Sequence, residues 1–338
     1  PSMESWNNCL QGRYKLHQMK SRVGAVQLPH IQVIDMKDER KANREKADWP
    51  FWLSSELYEA LRTTFQRREQ SALFLNRRGT AQTVLCSSCG FSFECPNCAI
   101  SLTLHGKSHM VCHYCDYSQR LPETCPQCDS DEVHALGIGT ERVQEDLQAL
   151  FPDARICRAD RDEIQNRRQL ESMICGMEDG SIDVLVGTQM IAKGLDFEKL
   201  TTVGLVMADV GFHLPDFRAS ERSFQLLTQV SGRAGRHSKE PGQVFIQTYT
   251  PSHPSVQFTL KKDFLSFARQ ELEERRELNY PPFCRLALLK IQSSKRDNAL
   301  QCCEILLRRC HHLIENQPEF KAVQILGPAP APLAKVRN

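Results

Sequence analysis

Residues 86–98 read CSSCGFSFECPNC, and the same spacing of cysteines returns as CHYC at 112–115 and CPQC at 125–128. Structural zinc takes four ligands at tetrahedral corners, and a two-residue spacer lets both sulfurs of a pair reach one ion. The four Cys-x-x-Cys pairs therefore predict two all-thiolate zinc sites. A set of disulfides or a thiol-redox relay is the weaker interpretation, because one spacing is repeated throughout and nothing marks the chain for export.

The loop lengths between the pairs favour a nested pairing. Thirteen residues separate Cys98 from Cys112, an ordinary finger-sized loop, whereas only five separate Cys89 from Cys95. Pairing neighbours along the chain would need a very tight first site, while nesting joins the entry of this stretch to its exit. We expect an inner site of Cys95, Cys98, Cys112 and Cys115, and an outer site of Cys86, Cys89, Cys125 and Cys128.

Length and composition indicate a soluble globular protein of two or three domains. The chain has 338 residues, of which 41% are hydrophobic and 25% charged, and these values are ordinary. The formal net charge of +2 neither requires nor excludes nucleic acid as a partner. No membrane span is visible and residues 1–10 lack the features of a signal peptide, so we expect a reducing, cytoplasmic setting.

Helices and strands alternate on both sides of residues 86–128, which we call the zinc insert. Apolar residues recur every four positions over 53–68, which predicts a helix, and a short buried strand follows at 72–75. This alternation predicts one α/β domain with a parallel sheet covered on both faces, which the insert interrupts. After the insert, the predicted strands are 155–157, 183–187, 203–207 and 244–248, and the predicted helices are 141–150, 163–177 and 219–230.

The two ends of the chain follow other patterns. Residues 1–50 show little periodicity beyond Ile31, Val33 and Ile34, which predicts a connector. Beyond residue 251 we expect a long charged helix, a strand, an amphipathic helix and a strand, at 258–278, 285–291, 296–315 and 322–326. The predicted domains are the connector at 1–50, the α/β lobe at 51–85 and 129–250, the zinc insert at 86–128, and an incomplete α+β domain at 251–338.

Two arginines stand three residues apart in the segment QVSGRAGR at 229–236. Arg233 and Arg236 therefore fall on neighbouring positions of one helical face. Planar guanidinium groups suit phosphate oxygens, and an arginine supplied across a cleft stabilises charge that develops on a transferred phosphoryl group. A surface helix end with structural salt bridges is the competing interpretation.

A second candidate segment, VLVGTQMIAKGLD at 184–196, follows a buried-strand pattern. The strand would deliver Thr188 at its carboxyl end, where α/β sheets place ligands, and Gly194 and Asp196 would follow in a loop. Similarly, Thr140 would cap a helix whose free N–H groups receive a nucleic-acid phosphate. Ordinary turns and caps explain each feature alone, and their order within one domain favours ligand contacts.

Four segments resemble motifs IV to VI of superfamily 2 helicases. Together with the eight cysteines they are similar to the PriA family of bacterial replication-restart helicases, also called primosomal protein N′. The resemblance covers essentially the whole chain, and residues 1–5 resemble a segment inside that family's helicase core. The segments are LFLNRRG at 73–79, GIGTERVQEDL at 137–147, VLVGTQMIAKGLDF at 184–197 and LLTQVSGRAGR at 226–236.

This resemblance implies a second RecA-like helicase lobe with a two-zinc insertion and most of a C-terminal domain. In the family, the complete protein is a cytoplasmic DNA helicase that binds branched DNA at abandoned forks and unwinds it 3′ to 5′ with ATP and Mg²⁺. Single-strand DNA-binding protein, primosome proteins and the replicative helicase loader are its implied partners, and we expect a monomer. By motif, Arg233 and Arg236 would face the nucleotide phosphates, Gly194, Asp196 and Gly232 would line the nucleotide cleft, and Thr140 and Thr188 would lie near the DNA backbone.

One part of a helicase is missing from the sequence. No G-x-x-x-x-G-K-[ST] segment occurs, and we expect no DEAH-like acidic box, so the phosphate cradle and the Mg²⁺ ligands are absent. We therefore expect half of an enzyme, inactive alone. The alternative is a non-catalytic zinc-containing DNA-binding or scaffold module, and a thiol-redox or chaperone-like zinc protein is weaker.

Overall fold

The computed structural model describes residues 1–18, 28–43, 49–75, 82–106, 108–160, 163–188, 197–235 and 240–330. Within these residues, a six-stranded parallel sheet carries helices, and a five-stranded antiparallel sheet is inserted between two of its strands. The predicted α/β class is therefore confirmed. Among the described residues, no helix is both long enough and apolar enough to cross a membrane.

The larger sheet has the strand order β1-β11-β10-β2-β9-β8, and every pairing in it is parallel. The interior strands are largely buried, as expected where helices cover both faces of a sheet. Every residue of β2, for example, is buried. The strands are β1 (His30–Asp35), β2 (Gln70–Leu75), β8 (Ile156–Ala159), β9 (Val184–Gly187), β10 (Leu200–Val206) and β11 (Gln243–Thr248).

The smaller sheet has the order β6-β5-β4-β3-β7, and its strands pair antiparallel. It begins before the first cysteine pair and ends after the last one, so the two ends of the insert leave the lobe side by side as β3 and β7. The strands are β3 (Gln82–Cys86), β4 (Thr103–His105), β5 (His109–Val111), β6 (Ser118–Arg120) and β7 (Val133–Leu136).

The helices lie before, between and after the strands of the parallel sheet in the chain. Two apolar clusters lie around the sheet, one containing Leu57, Leu73 and Val186 and the other containing Phe74 and Leu227. The helices are α1 (Met3–Leu10), α2 (Met36–Ala42), α3 (Ser55–Gln66), α4 (Thr140–Leu150), α5 (Arg167–Glu178), α6 (Asp209–Phe212), α7 (Ala219–Ser231), α8 (Pro254–Lys261), α9 (Phe264–Glu277) and α10 (Arg296–Asn316), with a 3₁₀ turn at Pro318–Phe320.

The prediction that residues 1–50 are only a connector is wrong for part of that range. His30–Asp35 form an edge strand that pairs in parallel with Gln243–Thr248 of β11. Because the strand lies at the edge, Ile31 and Val33 are only partly buried and Ile34 alone is fully buried among its apolar residues. The alternation of apolar residues at Ile31, Val33 and Ile34 is therefore too short to predict a strand of the main sheet.

The predicted helix at 258–278 is two helices. Lys262 adopts a left-handed conformation with φ +55° and ends α8, and the carboxylate of Asp263 accepts a hydrogen bond from the Ser266 N–H at 3.0 Å to begin α9. Apolar residues on the inward faces of both helices continue one helical periodicity across the break. The pattern therefore hides the change of direction.

The predicted strands at 285–291 and 322–326 are also not observed. Neither segment pairs with a described strand, and Leu288 is 88% exposed. Strand sequences need a partner to form a ladder, and within 279–330 the structure holds α10 and a 3₁₀ turn. The bounds of the proposed α+β domain stay a prediction.

A buried histidine makes the stability of the lobe depend on pH. The Nδ1 atom of His253 accepts the Ser255 N–H at 3.2 Å at the start of α8, and its ring stacks on Phe212 with centroids 4.1 Å apart. Burial, with a smaller effect of His213, lowers the pKa of His253 to about 3. Below pH 6.5, near the ordinary pKa of histidine, the imidazole of His253 binds a proton in the unfolded chain but not in the folded chain. The stability contributed by the neutral imidazole is therefore complete above pH 6.5 and is lost as pH falls toward 3.

We therefore expect His253→Asn to flatten the pH dependence of unfolding. Asparagine also caps helices but does not titrate. Between pH 6.5 and 4.5 the unfolding free energy of the variant should therefore fall less steeply than that of the wild type. The difference between the two slopes should correspond to the uptake of up to about one proton on unfolding. Chemical denaturation of both proteins across this range measures the difference, and protonation of the zinc-site cysteines cancels in the comparison. Parallel curves would contradict the assignment.

Candidate functional site

All four Cys-x-x-Cys pairs occupy the same kind of turn. In the first, the Gly90 N–H donates to the Cys86 carbonyl and the Cys86 N–H donates to the Phe91 carbonyl, both at 2.8 Å. The residue after the second cysteine is left-handed, with φ of +82°, +49°, +62° and +57° in the four turns. Such a turn points both sulfurs of a pair the same way. The equivalent residues are Cys95, Ala99 and Ile100; Cys112, Asp116 and Tyr117; and Cys125, Asp129 and Ser130.

The sulfurs gather into two groups of four, and each group has the members that the nested pairing predicts. Within each group all Sγ atoms lie within 4.8 Å of one another. Across the outer group the Sγ atoms of Cys86 and Cys128 are 3.7 Å apart, and those of Cys89 and Cys125 are 3.6 Å apart. Zinc–sulfur bonds of about 2.3 Å at tetrahedral angles place sulfurs roughly 3.8 Å apart. The groups are Cys86, Cys89, Cys125 and Cys128, and Cys95, Cys98, Cys112 and Cys115.

Metal binding by these groups must be coupled to proton release. Burial, aided by neighbouring thiols, raises the pKa of Cys89 to about 12 and that of Cys112 to about 11. At Cys115 burial acts in the same direction, but hydrogen bonds from the Tyr117 N–H and neighbouring groups outweigh it and lower the pKa to about 7. Four thiolates cannot share so small a space without a positive ion, so metal binding must release protons from most of these groups.

Three histidines in the insert are not part of either group. His105 and His113 face each other with their Nε2 atoms 3.4 Å apart, and His109 is exposed. Both groups consist only of cysteines among the residues described. Four cysteines in each group already supply the four ligands that a structural zinc ion takes.

The outer group rests directly on the lobe. A Cβ atom at Gly90 would lie 2.6 Å from the carbonyl oxygen of Tyr249, so only glycine permits this approach. Beside it, the Arg40 guanidinium on α2 pairs with the Glu132 carboxylate at 3.2 Å. These contacts join residues far apart in sequence, and nothing in the sequence pattern indicated them.

The expectation that the chain contains no DEAH-like tetrapeptide needs correction. Asp131–His134 read Asp-Glu-Val-His. The Glu132 carboxylate contacts the His134 ring at 3.0 Å, the Ser87 hydroxyl at 3.1 Å and Arg40. The hydrogen bond with His134 is the main cause that lowers the pKa of Glu132. The tetrapeptide leads into β7, an antiparallel strand of the smaller sheet, and its glutamate is engaged by protein groups.

The arginine segment lies at the amino-terminal edge of the main sheet. Helix α7 ends with Gly232 as its C-cap, and half-buried Arg233 follows directly. The Gly235 N–H donates to the carbonyl of Leu200, the first residue of β10, at 2.8 Å. Gly235 has φ +66° and a Cβ there would lie 2.3 Å from the Gly242 nitrogen, so the close approach requires glycine. Arg236, Gly194 and Asp196 lie outside the described residues.

The two threonines predicted to contact DNA both lie at the opposite, carboxyl edge. Ala159 of β8 pairs with Gly187 of β9, so the residues that follow them, Asp160 and Thr188, end neighbouring strands. The hydroxyl of Thr140 donates a short hydrogen bond to the Asp160 carboxylate. Helix α7 runs along the sheet and ends at the arginine segment. Its 13 residues span about 20 Å, and the two edges of the sheet are separated by a distance of this order.

Thr140 does not act as the predicted helix cap. Gly139 holds the cap position of α4 without a side-chain hydrogen bond, and Thr140 is the first helical residue, 3% exposed. Its hydroxyl is used inside the protein, where it fixes the start of α4 to the end of β8. Half-buried Thr188 directly follows β9. Contact of either residue with DNA stays a prediction.

The sequence matches three known domain families. These are the helicase conserved C-terminal domain over residues 132–238, the PriA DNA helicase Cys-rich region domain over 95–120, and the primosomal protein N C-terminal domain over 276–338. The first covers most of the lobe after the insert. The second lies within the insert and spans the cysteines of the inner group.

Curated relatives match along the whole chain. The replication restart protein PriA of Bacillus subtilis is 42% identical over 100% of this chain and 41% of its own length. Its namesakes from Synechocystis and Treponema pallidum are 39% and 40% identical over 99% of this chain, and over 40% and 49% of their own lengths. The chain thus spans less than half of each of these relatives. With both cysteine groups and the parallel-sheet lobe in place, we conclude that the chain belongs to the family of the replication restart protein PriA.

Proposed function

We propose that the complete protein is an ATP-dependent DNA helicase of replication restart, which recognises branched DNA at stalled forks, unwinds it 3′ to 5′ and initiates primosome assembly. The observation that carries this proposal is a parallel-sheet lobe with an arginine segment at one edge and an insert of two four-cysteine groups. The match to relatives named replication restart protein supports it. In this proposal, residues 51–85 and 129–250 are the second helicase lobe.

The catalytic role of this lobe is to supply arginines across a cleft. Arg233 and Arg236 act on the phosphates of ATP held with Mg²⁺ by a Walker A loop of another lobe, and Gly194, Asp196 and Gly232 line the same cleft. Preorganised guanidinium groups stabilise the charge that develops on the transferred phosphoryl group. The bond of Gly235 to Leu200 supports this role, because it anchors the arginine segment on the sheet. The chain alone has no Walker A loop and is inactive.

DNA binds at the other edge of the lobe, close to Thr188 and the start of α4. A hydroxyl donor and helix N–H groups at the carboxyl ends of strands suit phosphate oxygens. The two edges are joined by α7, so a change at the arginine end can be passed to the DNA end through one rigid helix. The placement of Thr140 and Thr188 at the same edge of the sheet supports the DNA assignment.

Thr188→Val tests the DNA assignment. Valine keeps the shape of threonine but removes the hydroxyl, so DNA affinity of the complete protein should fall by up to about tenfold at fixed salt. Thr63→Val is the matched control, because the Thr63 hydroxyl bonds to the Glu59 carbonyl within its own helix. Thr140→Val is less informative, since it would also disturb the start of α4. Equal affinities for wild type and Thr188→Val would remove Thr188 from the DNA site.

Each cysteine group holds one zinc ion. Zinc provides a tetrahedral, redox-inert centre that folds the residues around it. The eight cysteines supply all ligands, and the four equivalent turns orient them. The insert is in this way kept rigid on the lobe, where it can contact the branch of a fork or a partner protein.

The proposed partners follow from replication restart. They are single-strand DNA-binding protein, primosome proteins and the loader of the replicative helicase, acting in the cytoplasm with a monomer of the complete protein. The exposed α10 and the unpaired segments beside it, with Leu288 and Leu289 outside any core, support a C-terminal region that meets further protein surface.

Strand separation on forked DNA tests the proposed function. The complete protein, with ATP and Mg²⁺, should displace a labelled strand from forks that offer a 3′ to 5′ path and not from the matched 5′ to 3′ substrate. Omission of ATP should abolish displacement. If the complete protein binds forks but separates neither substrate and hydrolyses no ATP, the non-catalytic scaffold module is the correct function instead.

A further inference from the structure

Tyr280 enters the core of the zinc insert from the far end of the chain. It lies in the turn after α9, is 7% exposed and packs among the buried residues around the inner cysteine group. Its hydroxyl donates to the carbonyl oxygen of Cys98 at 2.7 Å, across 182 residues of sequence. Cys98 belongs to the inner group. A residue outside the insert thus holds the backbone of a candidate zinc ligand.

The ring of Tyr280 also holds the segment that leads into α7. It stacks on Phe217, with centroids 5.0 Å apart and planes 10° from parallel. The guanidinium groups of Arg218 and Arg275 lie 4.6 and 5.0 Å from the Phe217 centroid. Aromatic stacking and cation–π contacts of this geometry are attractive. Phe217 is therefore fixed between the insert and α9.

Arg275 continues the path into α7 itself. Its side chain is 3% exposed and pairs with Glu221 of α7 at 2.8 Å and with Glu271 of its own helix at 2.7 Å. Buried ion pairs of this kind are costly to break, because a lost partner leaves an uncompensated charge. Direct contacts thus run without a gap from Cys98 through Tyr280, Phe217 and Arg275 to α7, the helix before Arg233.

We propose that Tyr280 is a positioning residue for the inner zinc site and that, with Phe217 and Arg275, it fastens this site to α7 and α9 so that they move as one body. The phenol restrains the Cys98 carbonyl, and with it the turn that aims the Cys95 and Cys98 sulfurs. Groups beyond the ligands that orient them raise metal retention. Retention of the inner ion therefore depends on a residue from outside the insert. This proposal does not depend on helicase activity.

Zinc release from the complete protein to a colorimetric chelator tests the proposal. The two ions are assigned with Cys128→Ser, which lacks an outer ligand, so that the remaining release phase belongs to the inner ion. Tyr280→Phe removes only the hydroxyl, and the inner ion should then leave about 3- to 10-fold faster. The outer ion should leave at the wild-type rate. Phe217→Leu should have the same selective effect. In the double variant, the release of the inner ion should be accelerated by less than the product of the two single accelerations.

Tyr58→Phe is the control. Its phenol lies on α3 of the lobe, where the ring stacks on Phe151 and contacts neither cysteine group. Both ions should leave Tyr58→Phe at wild-type rates. An unchanged inner rate in Tyr280→Phe would overturn the proposal, and so would equal acceleration of both ions, which would indicate general loosening.

A second measurement reads the coupling in the reverse direction. Coupling between two sites is reciprocal, so removing the inner ion with Cys95→Ser should increase hydrogen exchange in the turn at 279–283 and at the end of α9. Cys86→Ser, which affects the outer ion, should change exchange there much less. Equal exchange in wild type and Cys95→Ser would also overturn the proposal.

Discussion

Replacing Arg233 or Arg236 by alanine in the complete protein should lower ATP turnover by about 10³-fold, because arginines supplied across a cleft contribute 10³–10⁵ to phosphoryl transfer. DNA affinity should change much less, since the proposed DNA site lies at the other edge of the lobe and DNA phosphates are commonly contacted by several groups. Steady-state hydrolysis with saturating DNA, together with DNA binding at fixed salt, measures both effects.

Arg222→Ala is the control for this pair. Arg222 lies on the same helix, α7, and pairs with Asp216 at 2.7 Å at a partly exposed position. Removing such a surface pair should alter stability by under about 1 kcal/mol and leave turnover near that of the wild type. An unchanged rate in the Arg233→Ala, Arg236→Ala double variant would remove both residues from the catalytic assignment.

Cys86→Ser and Cys95→Ser should each lose one zinc ion, and the double variant should lose both. The two residues belong to different four-cysteine groups, and a structural zinc ion contributes about 10–16 kcal/mol of apparent binding free energy at neutral pH. Loss of an ion should therefore unfold the turns that it joins. Metal analysis of protein purified under reducing conditions measures the ion count.

Cys175→Ser serves as the control, because Cys175 is exposed on α5 and belongs to neither group. It should retain two ions. If Cys86→Ser and Cys95→Ser each removed the same ion, with the double variant retaining the second, the pairs would be joined to their neighbours along the chain and the nested arrangement would be wrong.

The sequence predicted those features that depend on local spacing. The two-residue spacers and the loop of 13 residues between Cys98 and Cys112 were enough to predict the nested groups. The buried runs of β2 and β9 were enough to predict a parallel sheet. Each of these patterns reflects a constraint within a few residues, either the reach of two sulfurs to one ion or the burial of both faces of a strand.

Features that depend on distant partners were not predicted. β1 is a strand because β11 lies beside it, and its own half-buried residues give little signal. Conversely, 285–291 has the composition of a strand but meets no described partner. The break at Lys262 requires only a change at one or two residues, which leaves the apolar periodicity intact.

The candidate site shows the same division. The positions of the cysteines and the arginine segment follow from motifs, whereas the use of Thr140 within the protein depends on Asp160, which follows a different strand. Tyr280 is the clearest case, since its bond to Cys98 joins the end of α9 to the insert. No local pattern distinguishes it from any other tyrosine in a Pro-rich turn.

ATP hydrolysis with and without forked DNA, measured for the complete protein and for the 338-residue chain alone, tests the central claim most directly. The claim is that this chain supplies arginines to a nucleotide held by another lobe. It predicts DNA-stimulated hydrolysis by the complete protein and none by the chain alone. Robust hydrolysis by the chain alone, or none by the complete protein with forked DNA, would contradict it.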